Sequence, residues 1–375
     1  MSKPVTAQQD LEQTITQAAA PHAVEVDRRG QFPRDAIRSL AAAGLLSLIS
    51  ANEVGGDGRG LRQAAEVVEI AARSCGSTAM VMCMHYCGTA VLEAHGPRDV
   101  RLAIAQDRHL TTLAFSEAGS RGQFWVPMST ASQSGSTVRL DAQKSWVTSA
   151  GEADSYVWSS KPVAAEGLST LWVVAADRPG LTIRGPFDGL GLRGNASSPI
   201  TAEGAIVPAE VLLGEDGKGF DIMMGIVLPQ FQVLNAAFSV GTMQSAIART
   251  AAHLIATRYE HLDQTLADQP TARQIVARMQ IRYDQARSLL LDTLDAIEQG
   301  RADAQLRVLE VKASASEAAL EVTDLAMRVC GGAAFRKEVG VERNFRDARA
   351  ASVMAPSTDA LHDFIGRAVC GLPLF

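Results

Sequence analysis

From about residue 6 to 108 apolar side chains recur at helical spacing, as in Leu11, Ile15 and Ala18, and again in Ile37, Leu40, Ala41 and Leu45. Gly44 and the run GGDGRG at 55–60 punctuate this stretch, and Leu61 to Arg73 and Thr78 to Ala94 resume the helical pattern. Between about 109 and 221 the texture changes. Six prolines (Pro127, Pro162, Pro179, Pro186, Pro199 and Pro208) fall among short apolar runs such as SYVWSS, TLWVVAA and GAIVPAEVLLG, which predicts strands and turns. From about 222 onwards helical periodicity returns in long segments, for instance Ile275, Met279, Ala286, Leu290 and Leu294, set apart by the turn signals ADQP (267–270) and CGG (330–332). Strands segregated between two helical stretches argue against an alternating βαβ sheet. They predict an α+β chain with an N-terminal α-helical domain at 1–108, a middle antiparallel β-barrel-like domain at 109–221 and a C-terminal α-helical domain at 222–375.

Composition narrows the partners. The chain has 375 residues, 47% hydrophobic and 20% charged, enough for one large or two to three ordinary domains with real cores. Its 35 Lys and Arg against 41 Asp and Glu give a net charge of -6 with no long block of one sign, which excludes nucleic acid as the main partner. The apolar run from Ala79 to Leu92 is short for a bilayer and carries His85, and the leader MSKPVTAQQD lacks a cationic and apolar signal pattern. The expectation is a cytoplasmic protein with no membrane partner. Cys75, Cys83, Cys87, Cys330 and Cys370 form no CxxC or CxxH pair and read as reduced, buried side chains, and the seven histidines show no metal spacing.

Gly189, Gly191 and Gly194 spell a GxGxxG, but the adjoining segment NASSPITAEGAIVP reads as strand, whereas a dinucleotide fingerprint must open a helix. No GxSxG elbow is present. His85, alone on an apolar helix in MCMHYCG, is a core histidine first and a candidate catalyst second.

Three stretches carry a family resemblance. GQFPRDAIRSLAAAGLLSLISANEVGGDGRG (30–60), AFSEAGS (114–120) with LDAQKSWVTSAGEADSY (140–156), and CGGAAFRKEVGVERNFRDAR (330–349) together resemble the acyl-CoA dehydrogenase superfamily of flavoproteins, in the right order over nearly the whole chain. The resemblance implies a C-terminal four-helix bundle and an FAD cofactor. It places Trp146 against the isoalloxazine ring and the Thr148 hydroxyl on flavin N5, where hydride is accepted. A planar cofactor wants a rigid aromatic wall, and a donor at N5 favours the charge that appears there. Ser116 falls where a hydroxyl faces the pyrimidine edge, and Ser120 substitutes for a phosphate-binding serine whose own position is Gly122. Arg258 and Gln269, eleven residues apart, together with Arg328, Gly331, Gly332 and Ser357, fall on positions that hold the adenine dinucleotide across a subunit interface, so the resemblance implies a homodimer or homotetramer. FMN is the alternative, because Gly122 and Leu262 weaken two adenine-end contacts.

The same resemblance exposes a gap. Dehydrogenation of an acyl thioester needs a base for the α-proton, and the family places a glutamate at the position of Ala355 or, in a minority, at that of Phe231. Neither is an acid. Either the chain is an acyl-thioester oxidoreductase with a non-standard base, for which His85 is one candidate, or it is a two-component flavin monooxygenase of the same fold supplied by a flavin reductase, or an inactive flavin-binding homologue. The first reading implies an acyl-CoA or carrier-bound substrate and an electron-transfer partner.

Overall fold

The computed structural model describes residues 8–374; the leading residues 1–7, including the start of the expected helical stretch and most of the leader, lie outside them. The described chain opens with six helices: α1 (Gln8–Ala19), α2 (Ala23–Arg29), α3 (Arg34–Ala42), α4 (Leu61–Ser74), α5 (Gly76–His95) and α6 (Arg98–Ala105). The spacing that marks α1 and α3 is their buried face, with Ile15, Ala18, Ile37 and Leu40 out of solvent. Helix α5 has no polar face, since Met80, Met82, Cys83, Tyr86, Cys87, Val91 and Leu92 are all buried, as befits a helix enclosed by its neighbours.

The strands are β1 (Thr111–Ala114), β2 (Thr130–Ser134), β3 (Thr137–Val147), β4 (Ser155–Ser160), β5 (Thr170–Ala175), β6 (Leu181–Ile183), β7 (Ser198–Pro208) and β8 (Leu212–Leu213). They form two separate four-stranded sheets, ordered β1-β4-β5-β8 and β2-β3-β7-β6. This corrects the expected antiparallel barrel on two counts. No sheet closes, and β1 runs parallel to β4, with Thr111 opposite Ser155 and Ala114 opposite Trp158. Alternation in a strand records burial but not the direction of its partner, so the parallel pair leaves no trace in the sequence. After Gly194 comes β7 and no helix, as the segment NASSPITAEGAIVP predicts.

Helix α7 (Gly219–Ile222) leads through a π-helical turn at Met223–Val227 into α8 (Leu228–Ala256), followed by the hairpin β9 (Arg258–Tyr259) and β10 (Gln264–Thr265), then α9 (Pro270–Glu298), α10 (Ala304–Cys330), α11 (Val341–Val353) and α12 (Thr358–Val369). Helix α10 packs against α9, α11 and α12. The continuous helix Gly219–Ala256 is long and apolar enough to cross a bilayer by length and composition, and 61% of its most apolar window is buried inside the protein. Four cysteines are buried as expected; Cys370 is exposed.

Two compact units emerge. One comprises the chain up to Val67, Ser77–Gly189 and Arg193–Phe231, and the other Val68–Gly76, Leu190–Leu192 and the chain from Gln232 onwards. In the second unit Asp347 of the RDAR run accepts from the Leu192 amide at 2.7 Å, Arg343 donates to the Ser74 carbonyl at 3.0 Å, and the Arg349 guanidinium lies 4.1 Å from the Phe345 ring centroid. Leu290 of α9 is 1% exposed. Leu290→Ala is expected to cost about 2–5 kcal/mol in urea denaturation at unchanged m-value, the transfer and cavity terms acting together.

Candidate functional site

The first unit presents its candidate residues on strand β3. Its side chains alternate in burial as far as Lys144 and then break step: Lys144 pairs with Ile200 and Val147 with Ser198, so β3 carries one extra residue in that interval. The bulge puts Trp146 at φ 57, left-handed backbone unusual for a bulky residue and worth about 1–3 kcal/mol of strain. The indole is turned outward, 69% exposed, with the Phe187 ring set edge-on to it at 6.4 Å between centroids. Two residues on, Thr148 is buried, its Oγ1 3.1 Å from Ser197 Oγ. Ser197 N–H in turn donates to Asn195 Oδ1, and Ser149 N–H to the Asn195 carbonyl. The sequence pattern marks Trp146 and Thr148 but not Ser197 and Asn195, which orient the threonine from across the sheet.

What holds this edge in place is a buried ion pair. Lys144 Nζ donates to Glu117 Oε1 at 2.5 Å and to Ser159 O and Oγ at 2.7 and 2.9 Å, and neither charged side chain reaches solvent appreciably. Glu117 also accepts from the amides of Met128 and Ser129 and from the Ser129 hydroxyl. Burial pushes the Lys144 ammonium down to about 8, against the pull of the Glu117 charge. Beside the pair, the Ser116 carbonyl accepts from Ser145 N–H at 2.8 Å, so the 114–120 segment is pinned to the strand that presents Trp146. Ser120 Oγ is buried without a partner among the described residues, an orphaned hydroxyl of the kind a bound phosphate would satisfy. No atom lies within 4 Å of where a Cβ on Gly122 would stand.

His85 belongs to the core. It is fully buried, Nε2 donates to Leu46 O at 3.0 Å, and Nδ1 accepts from Thr111 N–H at 3.2 Å, so both ring nitrogens are engaged by backbone. Desolvation lowers it to about 4. This sets aside His85 as the catalytic base. Phe231 is also buried, flanked by Gln230 and Gln232, whose amide groups include buried atoms with no partner.

In the second unit the remaining candidates lie at the surface. The β9–β10 hairpin sets Arg258 opposite Thr265, and Arg258 pairs with Asp263, while Gln269 Nε2 donates to Gln264 Oε1 at 3.1 Å. Arg328 is in the last turn of α10. Gly331 ends that helix at φ 57, a conformation glycine adopts without penalty, and Gly331 and Gly332 have nothing within 4 Å of a would-be Cβ, leaving open backbone for a ligand. Ser357 caps α12, accepting from Ala360 N–H at 3.4 Å, which leaves its hydroxyl proton free to donate. Ala355 is half-buried between Met354 and Pro356, whose carbonyls accept from the buried Lys312 at 3.0 and 2.7 Å. Nothing in the sequence pattern singles out Lys312. Among the described residues no group of three or more His, Cys, Asp and Glu side chains comes together as a metal site.

In the first unit the exposed aromatic wall, the buried hydroxyl two residues on and the orphaned Ser120 oxygen fit a flavin nucleotide. Sequence models of the acyl-CoA dehydrogenase N-terminal, middle and C-terminal domains match residues 6–104, 112–205 and 217–370. The chain is 28% identical over 342 residues to a probable acyl-CoA dehydrogenase of Bacillus subtilis, covering 88% of each chain, and 28% identical over 362 residues to the cyclohex-1-ene-1-carbonyl-CoA dehydrogenase of Geobacter metallireducens, covering 94% of each. In fold it is similar to butyryl-CoA dehydrogenase from Megasphaera elsdenii, with a TM-score of 0.90 at 21% identity over 99% of this chain and 100% of that one. It is equally similar to glutaryl-coenzyme A dehydrogenase in its glutaryl-CoA complex, with a TM-score of 0.91 at 22% identity over 100% and 98%.

Two effects on stability are expected. Because His85 is depressed in the fold to about 4 from 6.5, the unfolded chain binds the extra proton first, and stability falls as pH drops from 6.5 towards 4. The loss attributable to this group is on the order of 3 kcal/mol, and His85→Asn should start less stable but show a shallower fall in denaturant midpoint between about pH 7 and 4.5. Glu117→Ala, which strands a buried ammonium, should cost about 3–5 kcal/mol at neutral pH, read by the same titration.

Proposed function

The chain belongs to the acyl-CoA dehydrogenase family and is a flavoprotein oxidoreductase of that type, and from this premise we propose that it is an FAD-dependent enzyme acting on the CH–CH group of an acyl thioester. The observation that carries the proposal is the bulge of β3, which accepts backbone strain to hold Trp146 outward beside a buried Thr148 hydroxyl. A core tryptophan would need no such strain. When bound, the flavin supplies the two-electron acceptor that no side chain here provides. Trp146 would back its ring, Thr148 would donate to it, and Ser116 and Ser120 would meet its polar edge and phosphate. Arg258, Gln269, Arg328, Gly331, Gly332 and Ser357 would hold the adenine end, and as surface groups they suit a cofactor shared between copies of this chain in a homodimer or homotetramer.

The relatives whose names specify cyclic and linear acyl-CoA substrates support a CoA thioester over other CH–CH compounds. The Ala355 N–H serves as a donor to the thioester carbonyl, a role that needs backbone only. With His85 committed to the core and no acid at Ala355 or Phe231, the α-proton passes to solvent water in place of the family carboxylate, and its removal is the slow step. A positioned general base contributes typically about 10²–10⁴-fold. The electrons then pass to an electron-transfer partner.

The test is anaerobic mixing with a panel of acyl-CoA and carrier-bound thioesters while flavin absorbance is monitored. Bleaching by a thioester supports the proposal, and Ala355→Glu should then raise the bleaching rate by on the order of 10²-fold. Failure of every thioester, with oxygen consumed after chemical reduction, would turn the reading to the monooxygenase that the missing acids also suit. The cofactor is checked separately: mass spectrometry of the flavin released on denaturation should give FAD at about one equivalent per chain, and Trp146→Ala should lower its retention on gel filtration.

A further inference from the structure

Lysine is among the side chains least often buried in full, yet Lys312 is 0% exposed in the middle of α10, on the face that carries Val308, Val311, Ala315 and Ala319. A hydrophobic residue of similar length there would avoid the cost of desolvating an ammonium. The ammonium donates to the carbonyls of Met354 and Pro356, the two residues that flank Ala355. Met354 is held a second time, its sulfur accepting from Asn235 Nδ2 at 3.5 Å. Around this segment other buried polar atoms have no partner among the described residues: Asn235 Oδ1, Ser316 Oγ one turn along α10 from Lys312, and Thr358 Oγ1 two residues after Pro356.

The peptide between Met354 and Ala355 is trans, so its C=O and N–H point in opposite directions. A cation hydrogen-bonded to the carbonyl oxygen draws electron density from the whole amide plane and strengthens the N–H on the other side as a donor. Ala355 N–H makes no hydrogen bond to any described residue. We propose that Lys312 is a positioning residue for this oxyanion donor: it fixes both carbonyls around Ala355 and polarises the peptide whose N–H receives the thioester carbonyl. The proposal rests on the acyl-thioester reading above and goes beyond it by assigning a role to a side chain that does not touch substrate. It also explains why the segment keeps its geometry although Ala355 has no carboxylate: the donor is set from behind by α10, independently of the side chain at 355.

The test uses flavin-loaded protein and a non-turning-over thioester labelled with ¹³C at the carbonyl, with isotope-edited difference infrared spectroscopy reading the C=O stretch. In the wild type the band should move to lower wavenumber on binding. Lys312→Met, close in length and apolar, should lose at least half of that displacement and reduce thioester-dependent flavin reduction by about tenfold or more, while the thioester dissociation constant changes less than about threefold. Lys312→Gln keeps a neutral donor at the same place and should fall between the two; it is the deciding variant if Lys312→Met does not fold. A folded variant with the wild-type band and rate overturns the proposal, as does weaker binding and a lower rate with the bound thioester's band displaced as far as in the wild type, which marks Lys312 as structural only. The reading beneath it fails differently: there the wild-type band itself does not move for any thioester that binds.

Discussion

Taking two opposite charges out of water at one point is the constraint on which the β-rich unit depends. Lys144 and Glu117 lie on segments far apart in sequence, and each is tolerable in the interior only because the other is there with the right hydrogen bonds around it. Their pairing brings the 114–120 segment onto β3, the Ser159 carbonyl ties β4 into the same knot, and the Met128 and Ser129 amides fix the chain that leads into β2. Shape complementarity of apolar side chains tolerates a one-residue slip far better than a buried ion pair does. The pair therefore acts as a register pin for everything that β3 presents two residues later.

That presentation is a matter of backbone, not of side-chain choice alone. On an unbroken strand the alternation of β3 would have carried on past Lys144 and Trp146 would have faced the same side as the buried lysine. The extra residue inserted against β7 reverses the parity, so an indole is delivered to the surface and Val147 and Thr148 to the interior within three positions. In the helical unit the counterpart is Met354 to Pro356, where it is again the backbone, through two carbonyls bound to Lys312, that is held in place.

Much of this was legible in the sequence, for reasons that differ by residue. Helices α1, α3 and α9 announce themselves because one face of each is buried and the other is wet, and Trp146 with Thr148 stands out because the run around them resembles a known family segment. The RDAR run is legible as a pattern but not as what it does, since Asp347 and Arg343 are bound to the Leu192 amide and the Ser74 carbonyl, which lie far along the chain. His85 is ambiguous in the sequence because an imidazole in an apolar helix is equally a catalyst or a satisfied core group, and only its two backbone partners decide between them. Lys312 is invisible: VKASASEAA has small residues on every side, so no contrast marks the face that is buried. The parallel β1–β4 pair is hidden because four residues, Thr111–Ala114, carry no information about the direction of their neighbour.

The parallel pairing has a kinetic side. Two antiparallel strands can zip from a tight turn, but β1 must wait until the chain from Phe115 to Asp154 has been laid down and folded back before β4 exists to receive it. Such non-local closure costs loop entropy before any contact offsets it, while α9 and α10 can form and dock from sequence neighbours. During synthesis and refolding the edge of β1 thus stays uncovered until β4 arrives, with Leu113 and Ala114, both interior in the finished protein, exposed beside unpaired backbone in the meantime. In the interval before β4 arrives this edge is open to pairing with another copy of the chain, and a chaperone that covers Leu113 and Ala114 would protect it.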